Sequence, residues 1–150
     1  MPDSVSYPAA PGSVREARAD VIAQAAAAGV PEDLFPRIML AVSEAVTNAV
    51  LHAYAGAEPG EVHVSTAETA GAFEVVVHDD GHGLVPRPDS PGLGLGLPIV
   101  SRVADDLDVS AGEAKGTRVR MRFRFDTSGA AAPDRERRIE TGVPHGGMQR

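Results

Sequence analysis

The stretch Thr117 to Phe125 alternates without exception. Thr117, Val119, Met121, Phe123 and Phe125 share one face of an extended chain, and Arg118, Arg120, Arg122 and Arg124 take the other. Such a strand has one dry face and one wet face. It belongs in a sheet covered on one side only, because a sheet buried on both faces needs near-continuous apolar strands. Two further segments obey the same rule. In Glu61–Thr66, Val62 and Val64 alternate with Glu61, His63 and Ser65; in Ala72–Asp79, Phe73, Val75 and Val77 oppose Glu74, Val76 and His78. Asp79 has the parity of the apolar face, so its carboxylate is expected to point into the domain.

Helices must supply the cover. Ser13-Val14-Arg15-Glu16 has the form of a capping box, and Val14, Ala17, Val21, Ala25 and Ala28 follow as a helical stripe closed by Gly29. A second helix is predicted from about Glu32 to Tyr54, with Pro36 in its first turn, where a missing N–H costs little. A third runs from about Leu97 to Asp106, with Pro98 near its start. Short strands are expected at Ser4–Pro8 and Leu107–Ala111. The fold class is therefore α+β: a two-layer α/β sandwich with a mixed, mostly antiparallel sheet and helices on one face. Residues 1–125 form the domain. Residues 126–150 lose all periodicity and are expected to be a disordered tail. Hydrophobic residues make up 43% of the chain but aromatics only 4%, with no Trp, so the core must be built from Val, Leu, Ile and Ala. The absence of Cys excludes disulfides and thiolate metal sites. No basic-then-apolar leader is present and no apolar run is expected to approach a membrane span, which predicts a cytoplasmic protein away from membranes. The net charge of −7 argues against a nucleic-acid partner. The outward arginines are expected to pair with Glu61 and Glu74 across strands.

Four groups of residues carry chemistry. Glu44 and Asn48 are four apart on a helix and so lie on one face, amid Ala41, Val42, Ala45, Val46, Ala49 and Val50. Asn48 can offer a neutral oxygen to Mg²⁺, and Glu44 is placed to take a proton from an attacking hydroxyl; the pair could equally be a helix surface pair. His52, a turn further on, is read as simply exposed. Asp79-Asp80-Gly81-His82-Gly83 ends a strand. An inward carboxylate there can accept from the exocyclic amine of adenine and reject guanine, while Gly81 and Gly83 allow close approach; a plain tight turn is the alternative. A metal cluster of His78, Asp79, Asp80 and His82 is disfavoured, because His78 and Asp79 face opposite ways. Gly92, Gly94, Gly96 and Leu97 lead into a helix N-terminus, which can hold phosphate by backbone N–H groups. Arg87 or Arg102 is a candidate cation. The spacing is not a Rossmann fingerprint, and no P-loop is present. Thr117 shares the inward parity of Asp79, so its hydroxyl can complete the adenine site.

In their order and content these motifs resemble the Bergerat-fold (GHKL) ATPase/kinase superfamily. Its N box matches Glu44 to Asn48, its adenine-binding Asp matches Asp79, its glycine boxes match Gly81, Gly83, Gly92, Gly94 and Gly96, and its final Gly-Thr matches Gly116-Thr117. The stretch from Ala41 to Tyr54 is most similar to anti-sigma factor serine/threonine kinases of the RsbW/SpoIIAB type, and the similarity runs from about Ser4 to Phe125. The resemblance implies binding of Mg-ATP, phosphorylation of a serine or threonine on a small (STAS-type) anti-sigma factor antagonist, and binding of a sigma factor, often as a homodimer. It implies Glu44 as base, Asn48 as Mg²⁺ ligand and Asp79 as adenine reader. One departure keeps an alternative open. The lid between Gly83 and Gly92 is only eight residues, Leu84 to Pro91, with three prolines. A non-catalytic ATP-binding interaction switch of the same fold is therefore the second reading. A histidine kinase is disfavoured because no helix with a phosphorylatable His precedes the motifs, and a gyrase- or Hsp90-like ATPase because no transducing domain follows.

Overall fold

The computed structural model describes residues 4–53, 58, 60–81, 96–112 and 115–126. In chain order the elements are β1 (Ser4–Pro8), α1 (Pro11–Ala27), a 3-10 turn (Glu32–Leu34), α2 (Phe35–Asn48), a π turn (Ala49–Ala53), β2 (Glu61–Thr69), β3 (Ala72–Asp79), α3 (Gly96–Val103), β4 (Asp106–Ala111) and β5 (Thr117–Arg124). The strands form one sheet in the order β1-β2-β3-β5-β4. All four pairings are antiparallel, so among the described residues no parallel pair joins them. The helices lie on one face, with α2 in the middle touching α1, α3, β3 and β5.

The core follows the alternation. Val62, Val64, Phe73, Val75, Val77, Val119, Met121 and Phe123 are buried from the sheet, and Val21, Ile38, Val42, Val46 and Val100 meet them from the helices. In α2 the buried residues Ile38, Ala41, Val42, Ala45 and Val46 form a stripe at helical spacing. This stripe corrects one expectation. Glu32–Leu51 is a helical run of 20 residues with mean hydropathy 1.3, long and apolar enough to cross a membrane by those measures alone. Its apolar face is the side that packs on the sheet.

Element ends moved where side chains found other uses. α1 begins at Pro11, with Ala10 as an extended N-cap and no side-chain cap. Ser13 is therefore inside the first turn rather than capping it. Its buried hydroxyl donates backwards to the Pro8 carbonyl at 2.6 Å, tying α1 to the end of β1. Gly29 closes the helix as expected: at φ +78° it lets Val30 N–H reach the Ala25 carbonyl at 3.0 Å. α3 stops at Val103, short of Asp106, because β5 recruits the next residues of the chain. Asp105 N–H donates to the Arg122 carbonyl at 2.9 Å, and Arg124 N–H donates to Asp105 Oδ2 at 2.7 Å.

Candidate functional site

Asp79 is the last residue of β3, and the strand's parity turns it toward the helices. It is only 5% exposed. A carboxylate buried this far must be hydrogen-bonded. Its Oδ1 accepts the Gly81 N–H at 2.9 Å, and the Thr117 backbone N–H also bonds the carboxylate. Burial nonetheless pushes the Asp79 carboxyl above the usual carboxylate range; those two N–H groups and nearby His78 pull it down without cancelling the effect. The result is a desolvated acceptor with room in its coordination for a further donor.

The Gly116-Thr117 pair is fitted to that carboxylate. Gly116 has φ +89°, and a Cβ built there would lie 1.8 Å from the Asp79 carbonyl oxygen. Only a residue without a side chain lets the start of β5 close on the end of β3. Thr117, 6% exposed, is thereby set beside Asp79 on the inner face. Strand parity signals that Thr117 faces inward like Asp79, but not that Gly116 packs against the Asp79 carbonyl.

Glu44 and Asn48 are half-buried on α2, one turn apart, and α2 packs on β3 and β5. Asn48 ends the α-helix, and the chain continues as the π turn Ala49–Ala53. Such π turns often accompany functional sites, because the widened turn re-aims the side chains beside it. No sequence signal foretold it. Gly81 is buried next to Asp79; Gly96 opens α3, and Leu97 is half-buried in its first turn. Arg102 is exposed in the last turn of α3. Gly83, Gly92, Gly94, Arg87, the whole lid and the side chain of His52 lie outside the described residues, as does the tail from residue 127. Among the described residues no group of three His, Asp or Glu side chains is spaced to hold a metal ion. His78 and Asp79 do face opposite sides of the sheet.

On the outer sheet face Arg120, Arg122 and Arg124 meet acidic side chains. Arg120 Nη2 is 2.8 Å from Glu74 Oε2, Arg122 Nε is 3.8 Å from the same oxygen, and Arg124 Nη2 is 2.8 Å from Asp106 Oδ2. The cross-strand pairing expected of Glu74 is present.

The chain is similar to known proteins in sequence and in fold. The profile of the family described as "Histidine kinase-like ATPase domain" matches residues 7–123. An anti-sigma F factor of Clostridium botulinum is 33% identical over 100 residues, covering 59% of this chain and 70% of that protein. Another, from Halalkalibacterium halodurans, is 29% identical over 109 residues, covering 65% and 75%. A crystal structure of the RsbU and RsbW domains of a Mycobacterium tuberculosis protein superposes with a TM-score of 0.65 at 25% identity, over 83% of this chain and 32% of that one. This chain thus spans about a third of that solved protein.

Proposed function

Since the chain belongs to the histidine kinase-like ATPase family, we propose that it is a cytoplasmic, Mg-ATP-binding anti-sigma factor that also phosphorylates a serine or threonine of an anti-sigma factor antagonist. The observation that carries the nucleotide part is the Asp79 site. A buried carboxylate already holding the N–H groups of Gly81 and Thr117 suits one more N–H donor, and adenine's exocyclic amine is such a donor where guanine has a carbonyl. The sigma-factor partner is carried over from the anti-sigma F factors that the chain resembles.

In this reading Asn48 would hold Mg²⁺ through its amide oxygen, and the ion would neutralise phosphate charge. The backbone N–H groups of Gly96 and Leu97, at the start of α3, would take the phosphates. Mg-ATP supplies the γ-phosphoryl group. Glu44 takes the proton of the substrate hydroxyl as that oxygen attacks the γ-phosphorus in line, with ADP as leaving group.

The test is transfer from Mg-[γ-³²P]ATP to purified antagonist. Wild type labels the antagonist, and Glu44→Ala lowers the rate about 10²–10⁴-fold with nucleotide affinity retained. Undiminished labelling by Glu44→Ala removes Glu44 from the role of base. Tight ATP binding without transfer to any antagonist supports the interaction-switch reading, which the eight-residue, proline-rich lid motivates.

A further inference from the structure

On the sheet face away from the helices, one transverse row runs Ser6, His63, His78 and Arg118, a residue from each of β1, β2, β3 and β5. The two imidazoles stack, with ring centroids 4.9 Å apart and planes inclined by 29°. Asp80, the first residue beyond β3, closes over both. Its Oδ2 lies 3.3 Å from His63 Nε2 and its Oδ1 lies 3.4 Å from His78 Nε2. Ser6 Oγ is 2.8 Å from His63 Nδ1 and fixes that ring from the edge strand.

None of these side chains has a part in the chemistry above, yet their position in the chain is specific. Asp80 joins Asp79 to Gly81, the two residues linked by the 2.9 Å bond inside the nucleotide site. The turn is thus gripped twice: by its own carboxylate on the inner face, and by two imidazoles on the outer. An exposed carboxylate beside a histidine is commonplace and contributes little. Here two rings from different strands converge on the two oxygens of one carboxylate.

We propose that Asp80, held by His63 and His78, is a positioning residue for the purine end of the nucleotide site. The proposal rests on the reading of Asp79 as the purine's partner. The charges facing the pair are Glu61 on the same face of β2, Arg118 opposite His78 on β5, Asp80 itself, and Asp79 behind the sheet; from β1 comes only the neutral Ser6. With an imidazole nitrogen against each of its two oxygens, Asp80 has one seat, and that seat sets where the backbone between Asp79 and Gly81 lies.

The experiment is ADP affinity by calorimetry for wild type, Asp80→Asn, His63→Gln/His78→Gln and the variant combining all three substitutions. Asp80 is 58% exposed at its side chain, so Asp80→Asn is expected to fold, with thermal melts as the check. The expected result is a loss of about two- to fivefold in Asp80→Asn and in the double His variant, with the combined variant no weaker than either, because all act through one contact. Unchanged affinity in Asp80→Asn, or losses that add in the combined variant, overturns the proposal while leaving the nucleotide reading intact. Failure of the wild type to bind ADP overturns both.

Discussion

At the scale of single residues, Asp79 sets folding against function. Its raised carboxyl means that the folded chain holds a proton more tightly than the unfolded chain does. The associated stability is fully present below the unfolded carboxylate's pKa and is lost as pH rises through the raised folded value. From the proposed role of Asp79 as purine reader, Asp79→Asn is expected to abolish adenine-nucleotide binding. The difference in urea stability, wild type minus variant, should fall as pH rises from about 4 toward neutrality; a difference that rises or stays level contradicts the burial argument. Gly116 is the second such position. Gly116→Ala puts a methyl at φ +89° where the Asp79 carbonyl lies 1.8 Å away. A loss of about 3 kcal/mol or more in urea unfolding is expected. The direction of Asp79 and Thr117 was legible in the sequence because strand parity is a two-fold choice that neighbouring residues fix. The closeness of Gly116 to Asp79 was not, because it depends on pairing two strands 37 residues apart in the chain.

At the scale of elements, existence was more legible than ends. β1 and β3 fell where alternation and turn residues put them, since period-2 patterns carry their own boundaries. β2 runs on to Thr69, past the Thr66 expected, because the hairpin ladder continues to the turn at Gly71, which has φ +73°. Ends decided by competition for one group were missed. Ser13 could cap its helix or tie back to Pro8, and a capping-box pattern does not choose between them. The structure gives the tie, at 2.6 Å. Ser13→Ala should consequently cost about 1–2 kcal/mol in urea unfolding. Hydrogen exchange should quicken around the β1–α1 junction rather than along α1 as a whole. Faster exchange throughout α1 would instead mark Ser13 as the helix's cap.

At the scale of the whole molecule, the two layers divide the work. The inner face joins the core to the proposed nucleotide site: Asp79 and Thr117 continue the same faces as Val77 and Val119, and α2 carries both the buried Val42 and Val46 and the half-buried Glu44 and Asn48. The outer face holds ion pairs and the imidazole row. Since β3, β5 and α2 each contribute to both core and site, a nucleotide seated there braces three elements that global unfolding must separate. A ligand that binds only the folded chain adds about 2.7 kcal/mol at one hundred times its Kd. For a chain of this size that corresponds to a rise in Tm of roughly 5–11 °C. ADP and ATP should produce it in a thermal scan, and GDP and GTP at equal concentration should not, because a buried acceptor facing the guanine carbonyl is left unpaired. Asp79→Asn should show no adenine-dependent rise. Equal shifts with adenine and guanine nucleotides would mean that only the phosphates are recognised, and would remove Asp79 from the base-reading role.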